Sequence, residues 1–562
     1  MSGLRNSPKY YLDDIDLKDV KALEMRLEAL VQGEIKSVAD LEDWIDLERT
    51  LMGRIQEAVT GHKIDFYRDT GNKLKRDMHL HDQTVVQPIL LKYQGELDKK
   101  FCSCRFTGEL HDSRYGAMKR VRTARLQRFC EVNIPLTVRE KKLGVKYSEI
   151  RGAMTVDWEG ETKPYAFVQA LLDHQDRTIR QSAWMALAEA RNKVKPDIDD
   201  IMNELVRLRH EMALNAGFGN YRDYMFQAKN REYSVQDCYD FHRAVERYIV
   251  PAWNRLADVF RSELGVNTYR PWDSTAKMLH SMPYTTVTEL MDGVHAMLEK
   301  TDAYFAERFA FMRQHRLLDV ESRPGKQMGG FMDPLPASKN AFVFANFSPS
   351  FTAIIALIHE MGHAIHIYLN NDFDEQNWRD EVTELYSHGM ELLLLDRLGT
   401  FYPNEQEFKR AQREELRRSL GLLIGPLTRD MFEHWMYTHP DHTAQERDRK
   451  YLEICKRFRL SPVDASGLES EVAASWFDTI HFFLYPFYAI EYSISELGAL
   501  QLFELYRADP KRGVTLYKQG ASTDFNDSIS DIYRRTGIEF DFSERIVKRI
   551  GEFLESQIEQ LR

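Results

Sequence analysis

The stretch "NFSPSFTAIIALIHEMGHAIHIYLN", residues 346–370, constrains this chain more than any other. It has the apolar periodicity of a buried helix, yet it carries three histidines and a glutamate between positions 359 and 366. Ser348 is placed to cap such a helix, and Pro349 suits its first turn. Four-residue spacing puts His359 and His363 one turn apart on the same face. Two imidazoles so placed can grip one Zn2+ at about 2.0–2.1 Å each. Glu360 stands one position round from the first histidine, where it can reach a metal-bound water without ligating the metal, the arrangement of a general base. The plainer alternative is a helix that happens to carry polar residues. Burying two imidazoles and a carboxylate in an apolar helix is costly unless something pairs with them, so the metal reading is preferred.

A catalytic zinc needs a third protein ligand and an open position. The next helical pattern, "RDEVTELYSHGMELLLLDRL" (379–398), places Glu384, His388 and Glu391 on one polar stripe beside a strongly apolar one. Glu384 is the leading candidate, with Glu381 and His388 as rivals that spacing alone leaves open. His366 lies a turn beyond His363 and reads as a packing or hydrogen-bonding histidine rather than a ligand.

Most of the remaining chain has helical period, including 14–60, 165–260, 285–315 and a carboxy-terminal segment from Asp541. Strand signals are confined to 153–165, with a turn at Gly160, and to 329–347, two extended runs around a Pro- and Ser-containing turn. The expectation is a mainly α protein with a small sheet, divided near residue 180 into an amino-terminal helical domain (1–180) and a catalytic domain (181–562). A formal net charge of −11 argues against a nucleic-acid partner. No secretory leader is read at the amino terminus, and no apolar run is read as a membrane span. The five cysteines are few and odd in number, and Cys102 and Cys104 lack a second pair to complete a tetrahedral site. These features together predict a cytoplasmic protein without a membrane partner.

A last segment, "IHFFLYPFYAIEYSISELGAL" (480–500), offers His481, Tyr485, Tyr488 and Tyr492 as hydrogen-bond donors. Tyr488 and Tyr492 are one helical turn apart. Aromatic residues at helical spacing are more often core, so the residues alone leave this segment undecided.

At this point the chain resembles a known family, the thimet oligopeptidase and oligoendopeptidase F metallopeptidases, in its oligoendopeptidase F branch. The likeness rests on "HEMGHAIH" and on "TELYSHGMEL", and extends through "GGFMDP", "AFVFANF", the 480–500 segment and, more weakly, "NAGFGNYRDYMF" (215–226). It implies His359, His363 and Glu384 as ligands of one zinc, Glu360 as base and Glu391 as a supporting carboxylate. It implies further that Gly329, Gly330, Phe331 and Tyr485 contact substrate, and that His481, Tyr488 and Tyr492 stabilise the oxyanion. The implied fold is an elongated helical metallopeptidase with a deep substrate channel and a small sheet beside the zinc helix. The implied activity is hydrolysis of internal bonds in short unstructured peptides. Two alternatives stand beside it. One is a metallocarboxypeptidase or dipeptidyl carboxypeptidase on a similar cleft, which would need a cation for the substrate's terminal carboxylate. The other is a zinc-bearing peptide-binding scaffold without catalysis.

Overall fold

Antiparallel hairpins form at both places where the sequence alternates. The strands are β1 (Thr155–Trp158), β2 (Glu161–Pro164), β3 (Leu318–Asp319), β4 (Phe331–Leu335) and β5 (Asn340–Phe344). β1 and β2 pair through a two-residue turn in which Glu159 (φ 52°) and Gly160 (φ 82°) are both left-handed, the geometry that matches the twist of a tight hairpin. β4 and β5 pair antiparallel, and β3 joins β5 in parallel to give the order β3-β5-β4. The two-residue β3 has no period a sequence could display. The computed structural model describes residues 10–128, 130–276, 279, 283–374, 378–524 and 526–561.

Everything else in regular structure is helical, so the protein is mainly α, as expected. The helices used below are α1 (Val38–Tyr67), α2 (Arg177–Asn215), α3 (Val235–Tyr248), α4 (Phe351–Asn370), α5 (Asp380–Leu393), α6 (Glu405–Thr438), α7 (Pro510–Ala521) and α8 (Ile529–Arg535). The chain divides into two compact units. The first comprises 1–127, 282–403 and 498–540; the second comprises 128–281, 404–497 and 541–562. Residue 180, the expected domain boundary, lies inside α2, a helix of 39 residues.

In the first unit, α4 begins two residues later than the sequence suggests. Ser350, not Ser348, is the cap, its side chain accepting from the Ala353 N–H, and Pro349 stays outside the helix. Asn371 ends α4 in the left-handed conformation (φ 57°), a common helix stop. By length and composition this helix could cross a membrane, at 20 residues and mean hydropathy 1.2, which the sequence reading did not anticipate. Ile354, Ile355, Leu357, Ile358, Met361 and Ile365 are instead packed inside the unit. α5 is held from behind by tyrosines of α7 and α8: the Tyr517 hydroxyl donates to the Tyr386 carbonyl and the Tyr533 hydroxyl to the Glu381 carbonyl, each at 2.9 Å.

In the second unit, Arg209 of α2 is fully buried and donates to the carbonyls of Phe482 and Phe483 at 2.7 Å each. Charge-assisted bonds of this kind fix the short helix His481–Leu484 against α2.

Candidate metal centre and active site

Glycine in the middle of α4 is what lets α5 come close. A methyl group on Gly362 would lie 2.6 Å from Ser387 Cα and 2.9 Å from the Tyr386 oxygen, closer than real side chains approach. This contact sets the crossing that delivers Glu384 to the two histidines. His359 Nε2 and His363 Nε2 are 3.2 Å apart, and Glu384 Oε2 lies 3.5 Å and 3.7 Å from them. The edge of a tetrahedron with metal bonds of about 2.1 Å is about 3.4 Å, so the three donor atoms fit one tetrahedral zinc. The orientation of each ring supports the same use. His359 binds Glu391 through Nδ1 at 2.6 Å, and the His363 ring donates to the Thr383 carbonyl, leaving both Nε2 atoms turned to the shared point. Ser387 Oγ donates to Glu384 Oε2 at 3.3 Å.

The rivals differ in how near they come to this point. Glu381 is buried beside Tyr533. His388 Nε2 is 3.7 Å from Glu384 Oε2 and forms an overlapping group with His359 and Glu391. His366 is buried against the Tyr386 ring, centroids 4.5 Å apart, and burial pulls its pKa down to about 3, so it is a neutral packing residue.

Glu360 faces β4. Burial, followed by the charges of Glu384 and Asp333, pushes its pKa up to about 8, against the opposing pull of the Met332 N–H that donates to it. Asp333, also pushed up by burial, pairs with Lys63 of α1 at 2.8 Å, and Lys63 lies 4.5 Å over the Phe331 ring. Neither Lys63 nor Asp333 was singled out in the sequence, because a lysine on a helix 270 residues away gives no local signal.

Hydrogen bonding fixes which edge of β4 is left unpaired. Val343 and Ala345 donate to the carbonyls of Leu317 and Asp319, so Phe342 and Phe344 turn toward β4. Their partners Asp333 and Phe331 face β5, and Met332 and Pro334 point the other way. Pro334, with no N–H to offer, sits at an outward position, as prolines do on edge strands. Among the described residues no strand pairs with that edge. Just before β4, Gly329 has φ 112°, and a methyl group on Gly330 would come 3.7 Å from Glu360 Oε1, so the glycine keeps the space beside the carboxylate clear.

In the second unit, the structure brings His481, Tyr485, Tyr488 and Tyr492 into one aromatic cluster. The His481 ring is stacked on Tyr488 (5.9 Å) and lies 6.2 Å from both Tyr485 and Tyr492. Burial and the Arg429 charge pull the His481 pKa down to about 4. Phe487 holds the left-handed backbone (φ 58°) that a bulky residue rarely adopts. Two bonds maintain it: the Phe487 N–H donates to Glu433 at 2.9 Å, and its carbonyl accepts from Arg231. This turn sets the backbone leading into Tyr488, and Arg231 and Glu433, which hold it, gave no signal in the sequence.

Residues 170–552 match the family model of Peptidase family M3. The chain belongs to that family. The resemblance drawn from the motifs therefore stands, on the oligoendopeptidase F side of the family. Group B oligopeptidase PepB of Streptococcus agalactiae is 19% identical over 343 residues, which are 60% of this chain and 56% of the relative. An oligoendopeptidase F homolog of Lactococcus lactis is 23% identical over 203 residues, 35% of this chain and 32% of the relative. The chain thus matches about half, or less, of the length of these curated M3 relatives. Solved structures share the fold over nearly the whole chain. PZ peptidase A with an inhibitor superposes at TM-score 0.86 and 21% identity, covering 99% of each chain. Oligoendopeptidase-F from Enterococcus faecium superposes at TM-score 0.67 and 14% identity, covering 97% of this chain and 98% of that one.

Proposed function

We propose that this M3-family chain is a zinc-dependent oligoendopeptidase that hydrolyses internal bonds of short unstructured peptides, with one zinc at His359, His363 and Glu384. The observation that carries the reading is the donor triangle with Glu360 and an unpaired strand edge beside it. Zinc held there supplies Lewis acidity, polarising a scissile carbonyl and lowering the pKa of water to about 7.

The chain's own groups do the rest. An extended peptide lies along the unpaired edge of β4, its N–H groups donating to the outward carbonyls there, with Gly329, Gly330 and Phe331 lying against it. Glu360, next to Gly330, takes the proton of the attacking water and returns it to the leaving amine. Burial raises the proton affinity of this carboxylate, and a dication held by the neighbouring ligands would lower it again toward the deprotonated form that a base needs. The Met332 N–H, by donating to Glu360, keeps the carboxylate oriented. On the family likeness, His481, Tyr488 and Tyr492 donate hydrogen bonds to the developing oxyanion and Tyr485 contacts the peptide. The enclosed channel of that likeness restricts substrates to short chains.

The test is Glu360→Gln, assayed for cleavage of a short quenched peptide with zinc content measured in parallel. The variant should keep its zinc and lose cleavage by at least about 10²–10⁴-fold, the range for a general base. A zinc-loaded Glu360→Gln with full activity would end this reading.

A further inference from the structure

We propose that the second unit carries a structural divalent-metal site of its own, built from Cys238 of α3 and Asp430 and His434 of α6. Cys238 and Asp430 are fully buried and His434 is 2% exposed, and one donor atom from each lies within 4.8 Å of the others. Thiolate, carboxylate and imidazole form a donor set suited to zinc or a similar borderline-soft dication.

The polar atoms around this point are incompletely used. His434 Nδ1 and Asp430 Oδ1 have no hydrogen-bond partner, while His434 Nε2 pairs with Asp430 Oδ2 and the Cys238 thiol donates to the Ser234 carbonyl at 3.5 Å. A buried polar atom left unpaired is costly, so two at one point call for an explanation. A cation between the helices would take the free lone pairs of all three side chains. His434 Nε2 and His242 Nε2 approach the other carboxylate oxygen, Asp430 Oδ2, at 3.2 Å and 2.8 Å. Cys238 and His242 are one turn apart on α3, as Asp430 and His434 are on α6. His242 therefore steadies the carboxylate and stands where a fourth donor would come from.

Charge is consistent with this assignment. Burial holds the Cys238 thiol neutral, and its proton is released to solvent as the metal enters. Thiolate and carboxylate then supply the two negative charges a dication needs. Arg231, buried nearby, pairs with Glu491 and also acts on Asp430 and Cys238, so a bound cation would share the charge of those two groups with it. The site also has a place in the unit's architecture. Arg429 and Glu433 flank its α6 ligands in sequence; Arg429 acts on His481, and Glu433 accepts from the Phe487 N–H. An ion joining α3 to α6 fixes the turn of α6 that holds the Phe487–Tyr488 backbone. Its role is structural and does not depend on the peptidase reading.

The experiment uses the full chain, stripped of metal and reloaded with Zn2+ or with Co2+ alone, and counts ions per chain by mass spectrometry. Wild type should hold two ions, and Cys238→Ser and His359→Ala one each. No sulfur belongs to the His359 site, so a sulfur-to-cobalt charge-transfer band reports the second site alone. That band should appear in wild type and in His359→Ala and vanish in Cys238→Ser. If Cys238→Ser does not fold, the count and band in His359→Ala decide. One ion per wild-type chain without the band, or a band that survives Cys238→Ser, would overturn the proposal. A His359→Ala chain that loses no ion would instead count against the proposed peptidase centre.

Discussion

Gly362→Ala tests whether the crossing of α4 and α5 makes the metal centre. The added methyl would meet Ser387 Cα at 2.6 Å, the Tyr386 oxygen at 2.9 Å and Met390 Cβ at 3.1 Å. Comfortable carbon contacts lie near 3.5–4.0 Å, so the helices must part by about 1 Å. Overpacking of this kind costs about 1–3 kcal/mol, and alanine's better helix propensity returns about 1 kcal/mol, leaving a net loss of up to about 2 kcal/mol. The larger effect falls on the ligands. Glu384 is one turn before Ser387, and its Oε2 already stands 3.5 Å and 3.7 Å from the histidines. Moving it outward by a similar step should weaken zinc binding on the order of 10–100-fold, as misoriented ligand shells do. Competition with a chromophoric chelator measures the affinity, and thermal unfolding measures the stability. Gly421→Ala in α6 is the control: nothing lies within 4 Å of the added methyl, so it should leave zinc affinity unchanged and stability equal or higher by up to about 1 kcal/mol. Wild-type affinity and stability in Gly362→Ala would refute the close-approach argument.

Other expectations follow from the same geometry. Glu391→Gln removes the charge that His359 Nδ1 donates to at 2.6 Å and should weaken zinc binding about 10-fold or more, with helicity by circular dichroism unchanged. In the metal-stripped chain, Glu360 has a folded pKa near 8, above its unfolded value, so the folded state holds a proton that the unfolded state releases. Stability should therefore fall as pH rises from about 5 to 8, a slope that melting curves should find reduced in Glu360→Gln. Tyr488→Phe should fold normally and lose about 10²–10³-fold in kcat; unchanged kcat would remove this residue from the oxyanion role.

The local parts of this protein were legible because they have local periods. The His359–His363 spacing, the polar stripe of α5 and both hairpins can be read from a few consecutive residues. What the sequence concealed depends on distant contacts. Lys63 meets Asp333, and Cys238 meets Asp430, across stretches of chain that carry no shared pattern. The same is true of the compact units, each assembled from three separate stretches that no single change of composition along the chain could mark. The start of α4 lies two residues beyond the expected one because Ser348 and Ser350 are chemically equal caps, and it is Ser350, with extended backbone, whose oxygen accepts from the Ala353 N–H. Gly362 was visible as a letter, but its reason is the backbone of Ser387 on another helix.

The central claim is tested most directly by digesting a mixed library of short peptides, some amidated at the carboxy terminus, together with a folded protein, and mapping the products by mass spectrometry for zinc-loaded wild type and Glu360→Gln. The account predicts internal cleavage of free and amidated peptides alike by wild type, an intact folded protein and an inactive variant. Trimming of one or two residues from free carboxyl ends only would contradict the endopeptidase claim in favour of a carboxypeptidase, and no cleavage by the zinc-loaded wild type would contradict the enzyme itself.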